Sequence, residues 1–152
     1  MSDELARPQG RVRAVCTSAR KGIRKRDRGS AELRPDWGIV GDAHAADWHR
    51  QVSLLAWESI EKMRALGLNV NAGSFAENIT TEGISLVDLP LGTRLRLGEA
   101  LVEVTQIGKE CHARCAIYAQ AGDCVMPREG IFVRVHQGGW VRAGDSITVE
   151  AD

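Results

Sequence analysis

Residues 106–115 read Gln-Ile-Gly-Lys-Glu-Cys-His-Ala-Arg-Cys, and they bring two thiols, an imidazole, two cations and a carboxylate into ten positions. The thiolate, not the thiol, is the nucleophile and the metal ligand, and nearby positive charge favours it. Cys111 lies between Lys109 and His112 with Arg114 close by, so its thiolate is favoured, with Glu110 working against this. Cys111 is therefore the candidate catalytic sulfur, and Lys109 and His112 are candidate ligand contacts. The bland alternative is a pair of buried cysteines acting as small hydrophobes, a poor fit to so many interleaved charges.

A reactive loop needs a rigid element to deliver it. The run Ala-Leu-Val-Glu-Val-Thr at 100–105 alternates apolar and polar residues and predicts a strand ending just before the thiols. Gly98-Glu99 predicts a two-residue hairpin joining it to a strand over 93–97. Further strands are expected over 11–18, 50–55, a short stretch after Ile79, 131–136, 140–142 and 146–150, with Gly138-Gly139 as a second hairpin turn. Cys16 falls on the apolar side of the first of these and reads as core. Residues 57–66 form the one convincing helix: Ile60, Met63 and Leu66 recur at helical spacing, Glu58 and Lys62 stand four apart, and Gly67 ends it. Short strands, regular turns and a single helix predict a mostly β fold, a barrel of short, mainly antiparallel strands with the helix inserted.

With 152 residues the chain fits one domain over 11–150 after a flexible stretch at 1–10. Twenty basic residues balance twenty acidic ones, which argues against a nucleic-acid partner held by bulk charge. Neither a signal-peptide core nor an apolar run of about 20 residues is present, so a cytoplasmic location away from membranes is expected. There, four cysteines at 16, 111, 115 and 124 read as reduced thiols or ligands.

Two other stretches could do chemistry. Residues 20–28 hold six cations and one acid. Such a run is commonly a solvated loop, but Lys21, Arg24 and Lys25 could also hold a phosphate, with Arg50 as the principal cation. Residues 41–44, Gly-Asp-Ala-His, bring Asp42 and His44 near Asp47 and His49. The spacing matches no usual zinc pattern, so hydrogen bonds that hold a loop are the better expectation.

Taken in order, these pieces resemble the MOSC domain, named for the C-terminal part of molybdenum-cofactor sulfurases. They are Gly-Asp-Ala-His at 41–44, Arg-Gln-Val-Ser at 50–53, Gly-Ser-Phe-Ala-Glu-Asn-Ile at 73–79, Leu-Gly-Thr at 91–93, Leu-Gly-Glu-Ala at 97–100, the stretch from Gln106 to Cys111, and Gly144-Asp145. The resemblance implies a MOSC-type β-barrel and a link to the molybdenum cofactor, a molybdopterin. It matches the family's characteristic Cys to Cys111, its Arg to Arg50 and its Glu-Asn pair to Glu77 and Asn78. It implies that Cys111 is a molybdenum ligand or a persulfide carrier, and that the partners are the cofactor itself, cofactor-biosynthesis proteins or molybdoenzymes. The chain looks like the short stand-alone bacterial type, with no pyridoxal-phosphate desulfurase domain, no ferredoxin module and no membrane anchor expected.

Three functions stay open on the residues alone. One is a molybdenum-cofactor binding and sulfur-carrier protein. Another is a molybdenum-dependent reductase of N-hydroxylated compounds served by separate electron donors. The third is a structural zinc module built on Cys111, His112, Cys115 and Cys124, which adjacent ligands at 111 and 112 argue against.

Overall fold

In the computed structural model, residues 9–21, 23–108 and 126–150 are described. Eleven strands follow one another: β1 (Gly10–Thr17), β2 (Arg26–Asp27), β3 (Ser30–Arg34), β4 (Gly38–Ile39), β5 (Val52–Ala56), β6 (Ile79–Glu82), β7 (Arg94–Leu97), β8 (Ala100–Ile107), β9 (Ile131–Gln137), β10 (Gly139–Arg142) and β11 (Ser146–Val149). Helix α1 (Trp57–Ala65) stands between β5 and β6, and one turn of helix, α2 (Met126–Glu129), precedes β9. Seven strands close into a barrel in the order β11-β7-β8-β9-β5-β6-β1, sealed by the β1–β11 pairing, and β2 extends β1. The expected mostly β barrel with one main helix is thus what the chain forms.

All barrel pairings are antiparallel except β5–β6. A parallel pair cannot be closed by a hairpin and needs a crossover, which explains why this barrel carries a helix and why it sits at α1. The strand ahead of α1 is buried on both faces. Val52 and Leu54 turn into the barrel core, while Leu55 packs outside with Ile60, Met63, Val70, Phe75 and Phe132. This second, smaller core fixes α1 against the sheet. Lys62 reaches Glu129 Oε2 on α2 at 2.7 Å rather than Glu58, whose Oε2 instead accepts the Gly83 N–H at 2.9 Å. The expected i,i+4 pair is therefore replaced by two long-range ties.

A separate three-stranded sheet, β10-β3-β4, covers part of the barrel. Two features here depart from the sequence expectation. Strands β3 and β4 were not anticipated, although Ala31 and Leu33, both buried, alternate with Glu32 and Arg34. Gly138-Gly139 is not a hairpin turn: β10 pairs with β3 and not with β9, so the chain changes sheets there.

Candidate functional site

The outward side of β5 and β9 carries a cavity of about 250 Å³ beside the smaller core. Strand alternation puts it there. Val52, Leu54 and Val133 face inward, so the cross-strand partners Ser53 and Phe132 face outward and line it. Loop residues Lys21, His44, Trp48 and Arg50 wall one side, and Phe75, Ala76 and Asn78 the other.

Asn78 welds these elements at the floor. Its Oδ1 accepts the Ser53 N–H at 3.0 Å and the Ser53 hydroxyl at 3.2 Å, and its Nδ2 donates to the Cys16 carbonyl at 3.1 Å. One side chain therefore couples β5 to β1 where β6 begins. Glu77, its neighbour, is fully buried and faces its own turn. Its carboxylate accepts the Gly73 N–H at 2.7 Å, the Phe75 N–H at 3.2 Å and the Thr80 hydroxyl at 2.7 Å. Burial pushes its carboxyl up, against the pull of these donors. Ala76, just before Glu77, has φ +61°, a left-handed backbone unusual for a residue with a Cβ.

The other wall is organised by a buried ion pair. Lys25, part of the basic run, is not solvated: its side chain is fully inaccessible and its Nζ donates to Asp42 Oδ1 at 2.7 Å. The ammonium also meets Ser18 Oγ at 3.1 Å and His44 Nδ1 at 2.9 Å, so its three hydrogens have three partners. Asp42 in turn accepts the backbone N–H of Ser18 (3.1 Å) and of His44 (3.0 Å). Burial acts to raise the Asp42 carboxyl, but the Lys25 hydrogen bond and charge, with the two backbone donors, outweigh it and hold it below its usual value. A carboxyl lowered by folding adds stability above its unfolded value of 3.8 that is lost as pH falls through it. Glu77, raised by folding, costs stability as pH climbs past 4.5. In denaturation across about pH 2.5–7, a range that spans these carboxyls, the gap between wild type and Asp42→Asn should shrink on acidification. The gap between wild type and Glu77→Gln should move the other way.

Arg50 sits beside this network. Its guanidinium carbon lies 4.7 Å from the Trp48 ring centroid and 5.6 Å from that of Phe132. Its Nε is buried and has no hydrogen-bond partner among the described residues. Lys21 adds a second cation, 5.5 Å from the Trp48 ring. Arg24 lies apart from this cavity lining, donating to the Asn69 carbonyl at 3.1 Å and to Ser74 Oγ at 3.3 Å. The four neighbours Asp42, His44, Asp47 and His49 do not converge. Asp47 pairs with Arg134 at 2.8 Å and His49 Nε2 meets Gln106 Oε1 at 2.9 Å. Among the described residues no group of three or more such side chains could hold a metal ion.

Lys109, Cys111, His112, Cys115 and Cys124 lie outside the described residues. Just before them, strand β8 ends at Ile107 beside β9, whose Phe132 lines the cavity. Gly108 N–H donates to the Gly130 carbonyl at 2.7 Å, and Gln106, paired in register with Phe132, bonds both the Gly108 carbonyl (2.8 Å) and His49. Ser53 stands in the Arg-Gln-Val-Ser piece at 50–53, whereas Trp48, Phe132 and Ser18 were not singled out from sequence. For Trp48 the available signal was its place among Asp47, His49 and Arg50.

A molybdopterin-type ligand couples a flat ring system to an anionic tail, and the residues present suit that chemistry. Arg50 Nε is an unused buried donor, Lys21 adds charge, the Asp42 charge is matched by Lys25, and Trp48 and Phe132 offer aromatic faces. The volume is below the ~300–1,000 Å³ of sites that enclose a whole small molecule, so this cavity suits one end of such a ligand.

Solved structures share this fold at low identity. The YUAD protein from Bacillus subtilis is 16% identical with a TM-score of 0.77, over 92% of this chain and 94% of that one. YiiM from Escherichia coli is 21% identical with a TM-score of 0.66, over 95% and 71%. YiiM from Geobacillus stearothermophilus is 18% identical with a TM-score of 0.68, over 93% and 75%. No curated protein matches the sequence. The MOSC domain profile matches residues 41–148, which takes in the Asp42 loop, Arg50, the Glu77-Asn78 turn and all of β5 to β9. With most of its length matched and the barrel in place, the chain belongs to the MOSC domain family, a family associated with the molybdenum cofactor.

Proposed function

We propose that this protein binds the molybdenum cofactor and carries sulfur on Cys111. The observation that supports this most is Arg50: a guanidinium beside two aromatic rings, with a buried Nε that no group among the described residues satisfies. A buried unpaired donor costs about 1–3 kcal/mol, a cost that an anionic ligand would remove. When bound, the cofactor would supply a thiophilic metal centre, for which a thiolate is a suitable ligand. On this reading Arg50 and Lys21 hold the anionic group, Trp48 and Phe132 shield it from water, and Asn78 and Ser53 form a rigid floor.

Cys111 is three residues beyond Gly108, so covalent geometry alone keeps its Cα within about 11 Å of the Gly108 Cα. The proposed chemistry is attack of the Cys111 thiolate on the outer sulfur of a partner protein's persulfide, which releases the partner's thiolate and leaves a persulfide on Cys111. An acceptor thiolate of a molybdoenzyme or cofactor-biosynthesis protein then takes the outer sulfur and frees the Cys111 thiolate. Lys109 and His112 would favour the thiolate.

Arg50→Ala should weaken binding of a phosphorylated pterin about 10- to 100-fold, the loss of one charge-assisted hydrogen-bonding group. Arg50→Lys should recover only part of it, because an ammonium lacks the planar fork. Isothermal titration with the three proteins measures this. Equal affinity in wild type and Arg50→Ala would rule out Arg50 as the clamp.

A further inference from the structure

We propose that Trp48 is a positioning residue whose indole holds the Arg50 guanidinium at the cavity, in a pose the side chain would otherwise leave for water. This rests on the cavity being the anion-binding site proposed above. The geometry that carries it is the placement of Arg50 against two rings, 4.7 Å from the Trp48 centroid and 5.6 Å from that of Phe132. Its Nε is buried there, with no acceptor among the described residues.

An arginine in that state is under two opposed pulls. The unpaired Nε–H favours any rotamer that reaches water, because burial has removed its hydration without supplying an acceptor. The rings favour the rotamer adopted, because a guanidinium is weakly hydrated and is attracted to the negative face of an aromatic. The two pulls are of similar size, so loss of the stronger ring contact decides the balance. Indole is the best of the aromatic platforms, and Trp48 is the nearer of the two rings.

A platform must itself be held. The Trp48 indole N–H donates to the His44 carbonyl at 3.0 Å, and the Trp48 backbone N–H donates to the Ala46 carbonyl at 2.9 Å. The His49 ring meets the indole edge-on, with centroids 5.8 Å apart. His49 is tied to the end of β8, its Nε2 to Gln106 Oε1 at 2.9 Å and its carbonyl to the Thr105 hydroxyl. From the other direction, the His44 backbone N–H donates to Asp42 Oδ2 at 3.0 Å, and Asp42 is paired with Lys25. The buried ion pair thus reaches Arg50 through backbone hydrogen bonds and one indole. Lys21, an exposed cation, stands 5.5 Å from the same ring, so Trp48 gathers both charges assigned to the ligand. An anion entering the cavity gives the Nε–H its acceptor without moving the guanidinium, which leaves little ordering to be done on binding.

The test follows the Arg50 Nε–H by nitrogen-15 NMR in wild type, Trp48→Phe and Trp48→Leu, the signal being assigned by its loss in Arg50→Lys. Inorganic phosphate is then titrated onto each protein. In wild type the Nε–H should be shifted upfield by the ring current, show Overhauser contacts to the Trp48 ring, and exchange with water more slowly than the exposed arginines. Trp48→Leu should return shift and exchange to those of an exposed arginine and weaken phosphate binding about tenfold, equivalent to ~1.4 kcal/mol. Trp48→Phe keeps an aromatic face and should retain the slow exchange and most of the affinity. An unshifted, fast-exchanging Nε–H in wild type, an unchanged signal in Trp48→Leu, or a loss in Trp48→Phe as complete as in Trp48→Leu would each overturn the assignment. Should Trp48→Leu fail to fold, the wild-type and Trp48→Phe spectra decide by the same criteria. A shifted, slowly exchanging Nε–H that phosphate does not perturb would count against the anion-binding reading, while the placement of Arg50 by Trp48 would stand.

Discussion

Lys25→Met should destabilise the protein by about 3–5 kcal/mol, the cost of breaking a buried ion pair from one side. The effect is large because the charge left behind cannot reach water. The Asp42 side chain is 1% exposed, and without Lys25 its hydrogen-bond donors among the described residues are the N–H groups of Ser18 and His44. The loss also spreads, since Lys25 joins the loop after β1 to the Asp42–His44 turn, and its backbone N–H donates to the Gly73 carbonyl at 2.8 Å. Gly73 must be glycine there: its φ is +85° and a Cβ would run into the Lys25 carbonyl oxygen. The double variant Lys25→Met/Asp42→Leu removes both charges and should recover part of the loss, so the two single costs should not add. Urea denaturation of the four proteins in a double-mutant cycle measures this. Strict additivity would mean that the pair is not coupled as its 2.7 Å contact implies.

Cys111→Ser should abolish the fast phase of thiol alkylation near neutral pH, together with any transferable sulfur. Among the four cysteines, Cys16 is no competitor. It is fully buried, and burial first, then the Glu77 and Asp27 carboxylates, push its thiol well above the ordinary range. Cys16→Ser should therefore leave the alkylation rate unchanged and act only on stability. Cys115, four residues beyond Cys111, is placed in sequence to resolve an oxidised or persulfidated partner as a disulfide, so Cys115→Ser should keep the fast phase and lose only that disulfide. Timed alkylation with mass mapping separates these outcomes. A Cys111 no faster than a free thiol of pKa about 8.5 would remove the case for an activated sulfur.

The parts of the fold that were legible in sequence are those with a local cause. Alternation in β1 and β8, the Gly98-Glu99 hairpin and the helical spacing of Ile60 and Met63 are each read within a few residues. What was not legible depends on contacts across the chain. Gly138 and Gly139 look like a hairpin pair, but a Cβ on Gly138 would press to 2.6 Å of the Leu33 carbonyl oxygen and one on Gly139 to 2.6 Å of the Glu99 Cβ. These glycines permit a close approach of β3 and the β7–β8 turn, and sequence does not distinguish that use from a turn. The site shows the same limit. Arg50, Asn78, Lys21 and His44 were marked in advance and do line the cavity. Lys25 resembled its solvated neighbours because its burial is decided by Asp42, seventeen positions on. Phe132 reaches the cavity through a strand face, and its position carries no local signature of a site.

The most direct measurement is the molybdenum, pterin and zinc content of the protein, made without a histidine tag in cells that synthesise the cofactor and purified gently. Wild type should carry molybdenum and pterin in matching amounts. Arg50→Ala should lose much of both, and Cys111→Ser should lose the metal. Stoichiometric zinc with neither molybdenum nor pterin, lost alike from Cys111→Ser, Cys115→Ser and Cys124→Ser, would contradict the cofactor-binding account and identify a structural metal module instead.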